Sequence, residues 1–151
     1  MKATAWIFLF LRLAIGGLFI FSGYSKLMGS SANFTGVILT YQIVDARTAA
    51  LAAAVLPWTQ FIAGVFFVLG LWLKPSMYVL WAHNAIFTAA IASTLIRGIA
   101  LADCGCFGEA GHAIPVQATL ALDVMIFLIF CWMNMRSAES KATALDRVLK
   151  A

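Results

Sequence analysis

Two thiols stand one residue apart in the run Asp103-Cys104-Gly105-Cys106-Phe107-Gly108-Glu109. Successive Cα atoms lie about 3.8 Å apart, so an i,i+2 pair falls within the roughly 7 Å separation that a disulfide tolerates. Gly105 accepts the backbone angles that so tight a ring requires, and Gly108 frees the chain just beyond it. A ring of this size stores strain, and strained, exposed disulfides are the readily exchanged kind. A static bridge gains more by closing a long loop. Three chemistries fit the pair: a redox dithiol, a metal site completed by His112 and Asp103, and an inert loop or static disulfide. A closed zinc site takes four ligands, whereas this loop offers two thiolates and one imidazole. Asp103 opposes a thiolate at Cys104 by like charge, and it is placed either to accept a proton or to cap the following turn. His112 titrates near neutrality and reads as a proton relay or a plain surface residue. Phe107 either docks a partner or sinks among lipid headgroups. The third cysteine, Cys131, lies deep in an apolar run. It is too far along the chain to pair with the loop, and it reads as a small buried apolar residue.

A second set of chemically capable residues lies inside apolar runs: Arg12, Lys26, Gln60 and Asp123. An ionisable group at membrane depth is costly and is a functional hypothesis by default. Asp123 falls about 10 Å in from one side and Arg12 about 9 Å in from the other, at a rise of 1.5 Å per residue. A hydrocarbon core of about 30 Å leaves a gap of about 10 Å between them. Lys26 is therefore an equal partner for Asp123 by depth. Asp123, Gln60 and Lys26 read as a polar site beneath the dithiol loop, or as interhelical glue. His83-Asn84 reads as a pair near the inner end of its span, facing a quinone headgroup or snorkelling into the interface.

The elements that must position these groups follow from composition. Of 151 residues, 64% are hydrophobic and 11% charged, with a mean hydropathy of +0.97. An ordinary soluble domain carries roughly 25% charged residues and could not cover so much apolar surface. The net charge of +4 comes from scattered basic residues at the ends of apolar runs, which does not suggest nucleic acid. A helical span takes about 20 apolar residues. Four stretches qualify: about 6–24, 49–73, 77–96 and 114–135. The expectation is an all-α membrane protein, a four-transmembrane-helix bundle occupying 1–136 with a cytoplasmic tail over 137–151. Lys74-Pro75-Ser76 reads as the turn joining the second and third spans. Val37–Val44 is too short to cross and reads as an interfacial segment with Tyr41 at headgroup level. Gly16 and Gly23, and the row Ala85, Ala89, Ser93, read as close-packing positions. Six Lys/Arg on one side against three on the other place both termini in the cytoplasm and the cysteine loop outside, which in a bacterial inner membrane is the oxidising periplasm. Arg12 interrupts the first apolar run, which therefore reads as an uncleaved span rather than a signal peptide.

The run Cys104-Gly105-Cys106-Phe107-Gly108, entering a last span from outside, resembles the MauE branch of the MauE/DoxX-like membrane family. Arg12, Gly16 and Ser22-Gly23-Tyr24-Ser25-Lys26-Leu27 are similar to that family's first helix. Leu56-Pro57 with Gln60 and Gly64 is similar to its second, where Glu often stands in place of Gln60. Leu122-Asp123 is similar to the opening of its last helix, without the preceding Arg. The resemblance covers about residues 6–135. It implies a part in maturing methylamine dehydrogenase, through processing, export or disulfide formation of the beta subunit beside a thioredoxin-like partner. On that reading Cys104 and Cys106 exchange disulfides with a periplasmic thioredoxin-like protein on behalf of a secreted client. The chain would then be a thiol–disulfide oxidoreductase. A bound quinone and a second dithiol are the two candidate electron acceptors. The alternative is a non-enzymatic DoxX-like scaffold or transport subunit, which would tolerate loss of both cysteines.

Overall fold

The computed structural model describes residues 2–99 and 115–135, as five helices. These are α1 (Lys2–Met28), α2 (Ser31–Thr40), α3 (Ala46–Leu69), α4 (Leu73–Ile96) and α5 (Val116–Met135). Four of them, all but α2, are long and apolar enough to cross a membrane. Among the described residues there is no strand. A helix satisfies its own backbone polar groups, which a lipid solvent demands. The outward faces carry Trp6, Phe10, Leu51, Trp58, Ile86 and Leu128, all exposed, as surfaces meant for lipid are.

The inward face of α1 repeats at alternating steps of four and three: Phe8, Arg12, Ile15, Phe19, Ser22 and Lys26 are all buried. The same spacing runs along α5 through Thr119, Asp123, Ile126, Phe130 and Met133. This is the stripe of a helix that packs nearly parallel to its neighbours. Toward the end of the bundle where α3 meets α4 the stripe is apolar apart from Arg12. Phe8 stacks on Trp132 at 4.9 Å, and Phe130 lies against Phe19 and Phe67 at 6.3 and 5.9 Å. Toward the opposite end the stripe turns polar.

The α1–α3 interface is the tightest. A Cβ on Gly23 would stand 2.9 Å from the Phe61 backbone nitrogen, and one on Gly64 would stand 3.2 Å from the Ile20 nitrogen. Only glycine allows that approach. Pro57, inside α3, is buried.

The turn between α3 and α4 is not at Lys74-Pro75-Ser76. Gly70, at φ 75°, ends α3; its N–H bonds Phe67 O at 3.2 Å and that of Leu71 bonds Phe66 O at 3.0 Å. This is the paired closure of a left-handed cap. Pro75 falls in the first turn of α4, where its missing N–H is not needed. The apolar Leu71, Trp72 and Leu73 hide this turn from a hydropathy reading. The segment Val37–Val44, expected to be interfacial, starts in the last turn of α2 and runs past its end at Thr40; α2 is capped by Ser30, whose Oγ accepts from Ala32 N. Tyr41 at its end is not offered to headgroups: it is 4% exposed and packs with Ile91. Arg97 holds it there, donating to the carbonyls of Tyr41 and Gln42.

Candidate functional site

Each long helix contributes one polar side chain to a common cavity: Ser22 from α1, Gln60 from α3, Asn84 from α4 and Asp123 from α5. Leu18, Phe19, Phe87 and Ile126 complete the wall of a space of about 30 Å³. All four polar residues are buried. Gln60 Nε2 donates to Ser22 Oγ at 3.0 Å, and Asn84 Nδ2 donates to Asp123 Oδ1 at 3.4 Å. One bond therefore ties α1 to α3 and the other ties α4 to α5.

Lys26, one turn beyond Ser22, is only 5% exposed. Its Nζ donates to Ser22 Oγ at 2.6 Å and to Gln60 Oε1 at 3.4 Å. It also lies over the rings of Phe34 and Phe87, with 5.7 and 5.2 Å to the centroids. Ring faces attract a cation, and more so where water is excluded. Lys26 and Asp123 are thus both buried ionisable groups with hydrogen-bonding amide neighbours, and Arg12 is a third buried charge on the same α1 stripe. Burying them is expensive in the first place, so an interior of this kind is weak evidence for stability and better evidence for use.

The structure brings together the three residues expected to form a polar site, Asp123, Gln60 and Lys26. Ser22 and Asn84 are the two that sequence reasoning missed. The signal was available: both sit on the four-and-three stripe that carries Phe19 and Lys26 on α1, and Leu80 and Ile91 on α4. The reading of His83-Asn84 as snorkelling near an inner helix end needs correction. Both are buried, about ten residues and 15 Å into α4 at the helical rise. Asn84 faces Asp123. His83 bonds Val79 O through Nδ1 at 2.9 Å and Thr59 Oγ1 through Nε2 at 3.0 Å. A carbonyl only accepts, so Nδ1 carries the proton, and the Thr59 hydroxyl lies within hydrogen-bonding distance of both Nε2 and the Leu56 carbonyl, at 3.0 Å each. That arrangement joins α4 to α3 and leaves the imidazole no reach to a headgroup ligand.

Asp103, Cys104, Gly105, Cys106, Phe107, Gly108 and His112 lie outside the described residues, as does the tail over 137–151. Cys131 is half-buried rather than sealed; it lines a cavity of about 230 Å³ with Met77, Tyr78, Trp81 and Asn134 at the opposite end of the bundle from Lys26. Among the described residues no three His, Cys, Asp or Glu side chains converge on a metal position.

A family model described as methylamine utilisation protein MauE matches residues 4–136. A relative described as methylamine utilization protein MauE, from Paracoccus denitrificans, is 30% identical over 112 residues. That alignment spans 74% of this chain and 59% of the relative's length. No solved structure matches.

Proposed function

The chain belongs to the MauE family, and from that membership we propose that this multi-pass membrane protein serves methylamine utilisation as a thiol–disulfide exchange component. On this reading it sits in a bacterial inner membrane with both termini cytoplasmic and the Cys104/Cys106 loop in the periplasm. Its partner is a thioredoxin-like protein, and its client is a secreted protein of the methylamine dehydrogenase beta-subunit kind. A thiolate of one protein attacks the disulfide of the other. A mixed S–S bond forms as the original one breaks, and the leaving thiolate takes up the proton that the attacking thiol gave up. The second thiolate then resolves the mixed disulfide. Two electrons pass one way and the disulfide passes the other, with no reagent beyond the two proteins.

The observation that carries the reading is that the Cys104-Gly105-Cys106 run lies inside the range matched by the family, 4–136. The buried Lys26 and Asp123 support it, because a scaffold alone does not require charges within its spans. The test replaces each cysteine singly by serine. Both changes abolish maturation of the client while the protein still inserts, since the helices and not the loop supply its stability. One of the two traps a mixed disulfide with the thioredoxin-like partner, visible on a non-reducing gel. If both variants remain active, the exchange reading gives way to the scaffold.

A further inference from the structure

The space of about 30 Å³ between Ser22, Gln60, Asn84 and Asp123 exceeds what one water requires, roughly 10–15 Å³. Empty cavities in proteins are apolar ones; a cavity lined by polar groups draws water. One group calls for it directly. Asn84 is 2% exposed, and its Oδ1 has no hydrogen-bond partner among the described residues, while its Nδ2 is spent on Asp123. An unmet buried carbonyl costs about 1–3 kcal/mol. Reversing the amide does not relieve this, because the nitrogen would then be the unmet group and an oxygen would face the Asp123 carboxyl.

We infer that this cavity is a hydrated site holding an ordered water, with Asn84 Oδ1 as its anchoring acceptor. The water lies between Ser22 on α1 and Asp123 on α5, both of which line the same space. Ser22 Oγ accepts from Lys26 Nζ at 2.6 Å and from Gln60 Nε2 at 3.0 Å. The hydrated cavity thus lies between the Asp123 carboxyl and a serine that accepts from the Lys26 ammonium. Asn84 is the residue that positions this water. The inference stands whether or not the loop cysteines exchange disulfides.

X-ray radiolysis of the full chain in nanodiscs tests it, because hydroxyl radicals made at a bound water oxidise the side chains beside it even when they are buried. Phe19 and Ile126 line the cavity, whereas Phe67 and Leu80 are as deeply buried without lining it. Phe19 and Ile126 are expected to oxidise several-fold faster than Phe67 and Leu80, and with oxygen drawn from H₂¹⁸O. In Asn84→Leu, which removes the anchor, that excess is lost. Equal rates for the two pairs in the unaltered protein overturn the inference, a result that does not depend on any variant folding. An undiminished excess in folded Asn84→Leu overturns the role given to Asn84.

Discussion

The α1–α3 interface makes a quantitative claim that three glycines on one helix can test. A Cβ at Gly23 would stand 2.9 Å from the Phe61 nitrogen and 3.1 Å from its Cα. Carbon contacts settle at about 3.5–4.0 Å. The obstacle is backbone, so the helices must part by about half an ångström. Ser22 and Gln60, the residues next to Gly23 and Phe61, join the same two helices at 3.0 Å. Parting them carries that bond to the edge of hydrogen-bonding distance. Overpacking costs about 1–3 kcal/mol, and an interhelical hydrogen bond in a membrane protein is worth about 0.6 kcal/mol. Set against a helix-propensity gain of up to about 1 kcal/mol, Gly23→Ala should therefore destabilise by about 1–3 kcal/mol. At Gly16 the nearest atom is Val68 Cγ2, at 2.5 Å; a β-branched side chain on a helix is held near one χ1, so Gly16→Ala should cost about as much. At Gly17 nothing lies within 4 Å, and alanine there should be neutral or stabilise by up to about 1 kcal/mol through helix propensity. Equilibrium unfolding in mixed micelles, as denaturing detergent is titrated in, would give the three values. Should Gly23→Ala fall within about 0.5 kcal/mol of Gly17→Ala, the size of an ordinary surface change, the close approach of α1 and α3 is not as drawn.

A thiol reagent that cannot cross membranes should label reduced Cys104 and Cys106 in intact cells and leave Cys131 unlabelled; labelling of the loop only after permeabilisation would invert the proposed topology. Asp123→Asn should assemble normally, because the amide still accepts from Asn84, yet lose most activity in a client-maturation assay. Asp123→Leu should be at least as inactive, and a fully active, more stable Asp123→Leu would reduce the residue to a dispensable contact. Asp45 caps α3 just outside the span, accepting from Thr48 Oγ1 at 2.5 Å and from Arg47 N at 3.2 Å. The Thr48 hydrogen bond holds its carboxyl below the usual range. A lowered folded-state pKa means that the cap's contribution is fully present above the unfolded value of about 3.9 and is lost as pH falls through the lower folded one. Circular dichroism of Asp45→Asn against the parent should show that the acid-induced loss at this helix start is confined to the parent and occurs below about pH 4.

The four spans were legible in the sequence because lipid sets a simple requirement: about 20 apolar residues with every backbone polar group bonded internally. The chemistry of the Cys104-Gly105-Cys106 run was legible too, because it depends on residues two apart and on nothing remote. The sequence likewise marked Lys26, Gln60 and Asp123, since a polar group inside an apolar run stands out by itself. It did not determine which of these groups meet. Periodicity assigns Ser22 and Asn84 to a helix face, but the depth and rotation of one helix against the next are set by packing, here by Gly16, Gly23 and Gly64 at the α1–α3 seam. A hydropathy reading also put the α3–α4 turn about four residues too late, because Leu71 and Trp72 are apolar and the left-handed backbone at Gly70 leaves no trace in hydropathy. Tyr41 was assigned to headgroups from its residue type; the carbonyls beside it are held by Arg97, more than fifty residues away in the chain. Only the tertiary structure could turn four separately unfavourable polar residues into one cavity, because the partners that make each of them tolerable lie on other helices.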